Sequence, residues 1–239
     1  VFGKSLKLFK LFGFTVKVDL SWIIIAVLVA WSLSVGLFPQ QLKDLPTRTY
    51  WVMGIMGALG LFASIIFHEM CHSLVARQFG LPMKGITLFI FGGVAEMDEE
   101  PPSAKAEFMM AVAGPISSIF LAVCLAALYF LGKGGWWSEP VNGVLGYLSM
   151  INGLLAAFNL VPAFPLDGGR VLRAALWSWK NNIKWATRIA SNTGSAFGMF
   201  LIILGLLSVL GGNFVGGMWW FLIGMFVRGA ARMSYQQLL

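Results

Sequence analysis

Long apolar runs, separated by short polar stretches, set the pattern of this chain. Residues 20–38 carry no charge, and residues 51–79 carry only Glu69 and Arg77. Residues 108–131 and 141–166 carry none. Residues 189–227 are also uncharged, and too long for one crossing. GGNFVGG at 211–217 divides that run, because clustered glycines mark a turn. A transmembrane helix takes about 20 mostly apolar residues. The pattern therefore predicts six spans, at roughly 20–38, 51–79, 108–131, 141–161, 193–211 and 215–232. Two short segments read as extended chain. FTVKVD at 14–19 alternates and holds β-branched residues. ITLFIF at 86–91, then Gly92-Gly93, then residues 94–97 read as strand, tight bend and strand. An open sheet edge cannot face lipid, so these strands must pack on protein, line a wet cavity or await a partner strand. The expected fold class is an all-α polytopic membrane protein with a small membrane-associated β-sheet or hairpin, in a single domain over 1–239.

Composition agrees with a bilayer location. The chain is 58% hydrophobic and 11% charged, against about 25% charged residues in a soluble domain. Its net charge of +7 is scattered through loops and is not interleaved with aromatics, so no nucleic-acid partner is expected. The two cysteines, Cys71 and Cys124, lie in apolar runs, which argues against a disulfide framework. The first 19 residues hold four lysines and no long apolar core, so no signal peptide is expected. Cytoplasmic loops are enriched in Lys and Arg. With the N-terminus inside, fourteen basic residues fall on the cytoplasmic side and three, Lys43, Arg48 and Lys133, fall outside. That bias requires an even number of spans, which six satisfies. A multi-pass protein of the cell membrane with both termini cytoplasmic is predicted. Trp136 and Trp137 then fit the outer interfacial belt. The acidic run at 98–102 reads as a solvated loop, with Glu107 at its edge.

Into this apolar pattern IIFHEMCHSLVA at 65–76 places His68, Glu69 and His72. Residues four apart share one helix face. H-E-x-x-H is the zincin pattern, in which two imidazoles bind zinc and the glutamate is general base on the metal-bound water. Water has a pKa of about 15.7, and a catalytic zinc lowers it to about 7. These are the only two histidines of the chain. Ionisable groups inside a span are expensive and usually functional, and a dication would offset the buried carboxylate. A catalytic zinc takes three protein ligands and keeps one position open. Cys71 points about 100° from His72 around the helix and reads as packing. Glu96, Asp98, Glu99, Glu100 and Glu107 belong to the polar loop. Asp167 sits in NLVPAFPLDGGR at 159–170, a broken helix end that is tolerated at membrane depth only within protein or along a cavity. It approaches from the same side as the inner end of the second span, which makes it the expected third ligand. The competing reading is a helix cap near Arg170.

With HEMCH and NLVPAFPLDGG together, the sequence resembles the site-2 protease family of intramembrane metalloproteases. That family pairs H-E-x-x-H in one transmembrane helix with N-x-x-P-x-x-P-L-D-G in a later one. FGGVA at 91–95 and AGPISS at 113–118 are less specific features of the same kind. The resemblance implies one Zn2+ per chain, held by His68, His72 and Asp167, with Glu69 as catalytic base. It implies that Asn159 lies near the active site, binding substrate backbone or the developing oxyanion. It also implies that the strand with Gly92, Gly93 and Val94 holds a locally unwound substrate. Adding a strand to a sheet edge replaces the hydrogen bonds such a substrate loses. The arrangement looks most like the bacterial and archaeal branch, whose members often continue into paired cystathionine-β-synthase-type regulatory domains.

The expected function is hydrolysis of peptide bonds within transmembrane segments of membrane-protein substrates, in regulated intramembrane proteolysis. A metal-binding transporter also uses broken helices near the midplane. It would not need a base between two ligands, and no inverted repeat is visible. A catalytically inactive scaffold would not need Glu69. GxxxG spacing such as Gly194 to Gly198 permits close helix contact without fixing an oligomeric state.

Overall fold

The computed structural model describes residues 6–11, 13–89, 92–97 and 100–236. Ile90, Phe91, Asp98 and Glu99, which entered the strand and loop expectations, lie outside them. The chain divides into two compact units, Val1–Glu100 with Ala113–Ala156, and Pro101–Val112 with Ala157–Leu239.

The first unit opens with β1 (Leu6–Leu11) and β2 (Phe14–Val18), an antiparallel hairpin turned at Gly13, whose φ is +86°. Glycine takes that left-handed value without steric penalty. β2 pairs in parallel with β3 (Met83–Phe89), and β3 pairs antiparallel with β4 (Gly92–Met97), giving the order β1-β2-β3-β4. Parallel neighbours need a long crossover, and here the first helices supply it. The expected hairpin at 86–97 is present, but Gly92 and Gly93 are not its bend. They lie within β4, opposite Phe89 and Leu88. Two adjacent glycines read locally as a turn, whereas pairing with β3 keeps them extended.

Helix α1 (Leu20–Ser32) runs through a π-helical turn at Leu33–Leu37 into the short α2 (Phe38–Gln41). Helix α3 (Thr47–Gln78) follows, 32 residues long. At 1.5 Å per residue it reaches about 48 Å, beyond the roughly 30 Å of a hydrocarbon core. Gly54 of α3 lies so close to Ser34 and the Ala30 carbonyl that a methyl there would collide with both. Leu33, Phe38, Met53 and Tyr147 form a buried cluster beside this crossing. Val18 of β2 packs on Trp22, Ile65, Ile66 and Met70. The sheet therefore rests on the α3 segment that carries the histidines. Helices α4 (Ala104–Lys133) and α5 (Glu139–Asn159) complete the apolar part.

In the second unit the chain leaves α5 at Asn159 and crosses residues 160–166 without helix, through a cis Phe164–Pro165 bond. It then enters α6 (Asp167–Lys180). No helix was expected there. Asp167, Arg170, Arg173 and Lys180 interrupt its apolar face in sequence, yet helical winding leaves Arg173 and Ala174 buried and Trp179 exposed. Asn181, in the left-handed region, ends α6. Asn182 caps α7 (Ile183–Leu210) by accepting the Trp185 N–H at 3.0 Å. The expected break after α7 is present at 211–213. Gly216 and Gly217, assigned to it from sequence, lie inside α8 (Phe214–Gln236). There Gly217 and Gly224 face Gly205 and Gly198 of α7 at backbone distance. Small residues at such crossings let helices approach closely.

Glu107 is the largest departure. It is not at the edge of a solvated loop but fully buried in the first turn of α4, paired with Arg173 of α6. A buried charge requires such a partner, and that partner is 66 residues away.

Among the described residues, five helices are long and apolar enough to cross a membrane: Trp22–Gln41, Thr47–Gln78, Ala104–Lys133, Glu139–Asn159 and Ile183–Leu210. The sixth expected span coincides with α8, which is not among them. Exposed side chains on these helices are large and apolar, including Ile24, Val27, Phe120, Val123 and Leu207. Patches of that extent suit lipid and not water. The fold is that of an all-α membrane protein with a small sheet.

Candidate metal centre

His68 and His72 lie one turn apart on α3, and both are buried. Their Nε2 atoms are 3.1 Å apart, with the rings at 76° to one another. Two zinc–nitrogen bonds of about 2.0–2.1 Å each can span that gap from one ion. The Nδ1 of His68 lies 2.8 Å from the Ser118 hydroxyl of α4. The imidazoles thus aim their Nε2 atoms at a common point, while the other nitrogen of His68 is held by a side chain. Glu69 is half-buried beside them, and its carbonyl accepts the Ser73 hydroxyl at 2.9 Å. One turn earlier, Ser64 accepts the Asn152 side-chain amide at 3.0 Å. That bond ties α3 to α5.

The wall facing the pair is Gly114 of α4. A Cβ at this position would collide with Nε2 of both His72 and His68. The space in front of the two nitrogens exists because residue 114 has no side chain. Two imidazole nitrogens converging on such a space, with a carboxylate adjacent, form a donor set that suits zinc.

In the second unit Asp167 is the first residue of α6 and is 9% exposed. A carboxylate is favoured at a helix N-terminus by the dipole. Gly168 and Gly169 follow because the 160–166 segment folds back over this first turn. A Cβ on Gly168 would collide with the Leu160 and Val161 carbonyls, and one on Gly169 with the backbone at Ala163 and Phe164. Arg173 lies 5.2 Å from the Phe164 ring centroid, over its face. Asn159 is the half-buried last residue of α5. Gly92, Gly93 and Val94 lie in β4, an edge strand of the sheet.

Ser118, Gly114 and the Glu107–Arg173 pair were missed as functional candidates in the sequence. AGPISS at 113–118 had drawn notice as a pattern, which was the available signal for the first two. Nothing local distinguishes Glu107 from the acidic loop before it.

An apolar helix with H-E-x-x-H along one face, backed by a small sheet, is the framework of a metallopeptidase set in a membrane. The chain belongs to peptidase family M50, whose family model matches residues 56–141 and 133–204. It is similar to the putative zinc metalloprotease Rip3 of Mycobacterium tuberculosis, 38% identical over 98% of this chain and 61% of that protein. It is 39% identical to the putative zinc metalloprotease sll0528 of Synechocystis, over 97% of this chain and 60% of that one. Among solved structures it resembles the Site-2 Protease from Methanocaldococcus jannaschii, with a TM-score of 0.65 and 29% identity, over 97% of this chain and 95% of that one. The chain spans about three-fifths of the length of those two metalloproteases.

Proposed function

We propose that this chain is a zinc endopeptidase that hydrolyses peptide bonds within transmembrane segments of other membrane proteins. In this reading one Zn2+ is held by His68, His72 and Asp167. The observation that carries it is the imidazole geometry: the Nε2 atoms of His68 and His72 on α3 lie 3.1 Å apart, a gap that two bonds to one zinc ion would span. A bound zinc would lower the pKa of water to about 7 and polarise the scissile carbonyl. Glu69, next to His68 on α3, accepts the proton of the attacking water and passes it to the leaving amine. Asn159 binds the substrate backbone or the oxygen that gains charge. The edge strand β4, with Gly92, Gly93 and Val94, pairs with a substrate segment drawn out of its helix, replacing backbone bonds that lipid cannot supply. Both termini are cytoplasmic, in the cell membrane. That orientation is supported by the excess of Lys and Arg on one set of loops. The biological outcome is regulated release of a membrane-tethered factor.

The test is purified protein reconstituted in vesicles with a model transmembrane substrate. Cleavage should fall within the apolar segment, stop on chelation and return with zinc. Cleavage untouched by a chelator, or confined to soluble loops, would overturn the reading.

A further inference from the structure

Helix α4 passes the histidine pair with two residues on one face, Gly114 and Ser118, four apart and so stacked one turn above the other. Both are buried, and Ser118 is fully so. Nothing in the H-E-x-x-H chemistry calls for either. The hydroxyl of Ser118 nevertheless lies 2.8 Å from Nδ1 of His68, and residue 114 is where any side chain would meet both Nε2 atoms. Ser117, beside them, does not share this work, since its hydroxyl donates to the Gly114 carbonyl at 2.7 Å.

We propose that Ser118 is a positioning residue that fixes the tautomer and ring angle of His68, and that Gly114 keeps open the space where the ion sits. Resting on the metal site assigned above, the argument runs as follows for the two atoms of His68. Nε2 faces His72 at 3.1 Å and is the atom that would ligate. Nδ1 then carries the proton and donates it to the Ser118 oxygen. A neutral imidazole has one donor and one acceptor nitrogen, so a fixed acceptor at Nδ1 leaves the lone pair on Nε2. Such outer partners of metal-binding histidines orient the ring and raise its basicity, and losing one typically costs about 10–100-fold in metal affinity. A ring free to rotate within an apolar bundle would have to be ordered on binding. Water is scarce there to take over the Nδ1–H.

The experiment is zinc affinity by competition with a chromophoric chelator, on the purified full chain in detergent, with helicity recorded in parallel. The variants are Ser118→Ala, Ser118→Thr, Ser118→Val and Gly114→Ala, beside His68→Ala. Ser118→Ala should bind zinc about 10–100-fold more weakly at unchanged helicity. Thr and Val have nearly the same shape, so any crowding at this buried site affects both. Ser118→Thr should bind more tightly than Ser118→Val by a similar factor. Gly114→Ala should lose zinc while keeping its helices. Equal zinc affinity for Ser118→Thr and Ser118→Val, or parental affinity in Ser118→Ala, overturns the role of the hydroxyl. If His68→Ala itself binds zinc like the parent, the metal site fails and not merely its support.

Discussion

Removing either member of the Glu107–Arg173 pair tests how α4 and α6 are held at the start of the broken segment. Glu107 is 0% and Arg173 5% exposed, and the guanidinium bonds the carboxylate through both Nε and Nη2. Arg173→Met keeps the length of the stem and takes the guanidinium away from a fully buried carboxylate. Breaking one side of a buried pair costs about 3–5 kcal/mol, because the surviving charge is desolvated and uncompensated. At about 1.4 kcal/mol per decade that is two to three and a half orders of magnitude in the folding equilibrium. The contact of Arg173 with the Phe164 ring adds about 0.5–2 kcal/mol to this variant. Glu107→Leu takes the carboxylate away from the arginine instead, and leaves the ring contact. Replacing both residues, Glu107→Leu with Arg173→Met, removes both charges and should restore much of the loss, since apolar substitutes for buried pairs are often neutral. The assay is reversible unfolding in mixed detergent micelles, read by circular dichroism, over the full double-mutant cycle. Single variants within about 1 kcal/mol of the parent, or a double variant that loses the sum of the two, would refute the reasoning.

Glu69→Gln should retain zinc measured by metal analysis and lose about 10²–10⁴-fold in cleavage rate, the usual contribution of a positioned acid–base; full activity would remove Glu69 from the reaction. Asp167→Ala should lower zinc content with His68 and His72 left intact, and zinc content equal to the parent would leave only the helix-start role for this carboxylate. Gly168→Ala should lower thermal stability, because the added methyl meets the Leu160 and Val161 carbonyls, and an unchanged melting temperature would show that residues 160–166 do not close over α6 as described.

How far the chain could be read follows from how local each feature is. The apolar runs reflect a solvent, the bilayer, that acts on each residue independently, so the class of protein was open to inspection. The stacking of His68 and His72 is set by the helical repeat alone, and so is the placement of Glu69 beside them. FTVKV was recognised as extended for the same reason, from its alternation. Its partner was not, because β2 joins β3 across two long helices.

What the tertiary structure alone decided are the contacts made at a distance along the chain. Gly92-Gly93 is strand and not bend because β3 supplies its partners. Glu107 is core and not loop because Arg173 reaches it from another helix. Ser118 meets His68 across 50 positions, and the importance of Gly114 is a matter of what it lacks. A propensity belongs to a residue and its near neighbours, whereas desolvation, charge pairing and steric exclusion belong to whatever the fold brings alongside. The sequence by itself determined which helix would carry the donors; packing determined what turns them and leaves room between them.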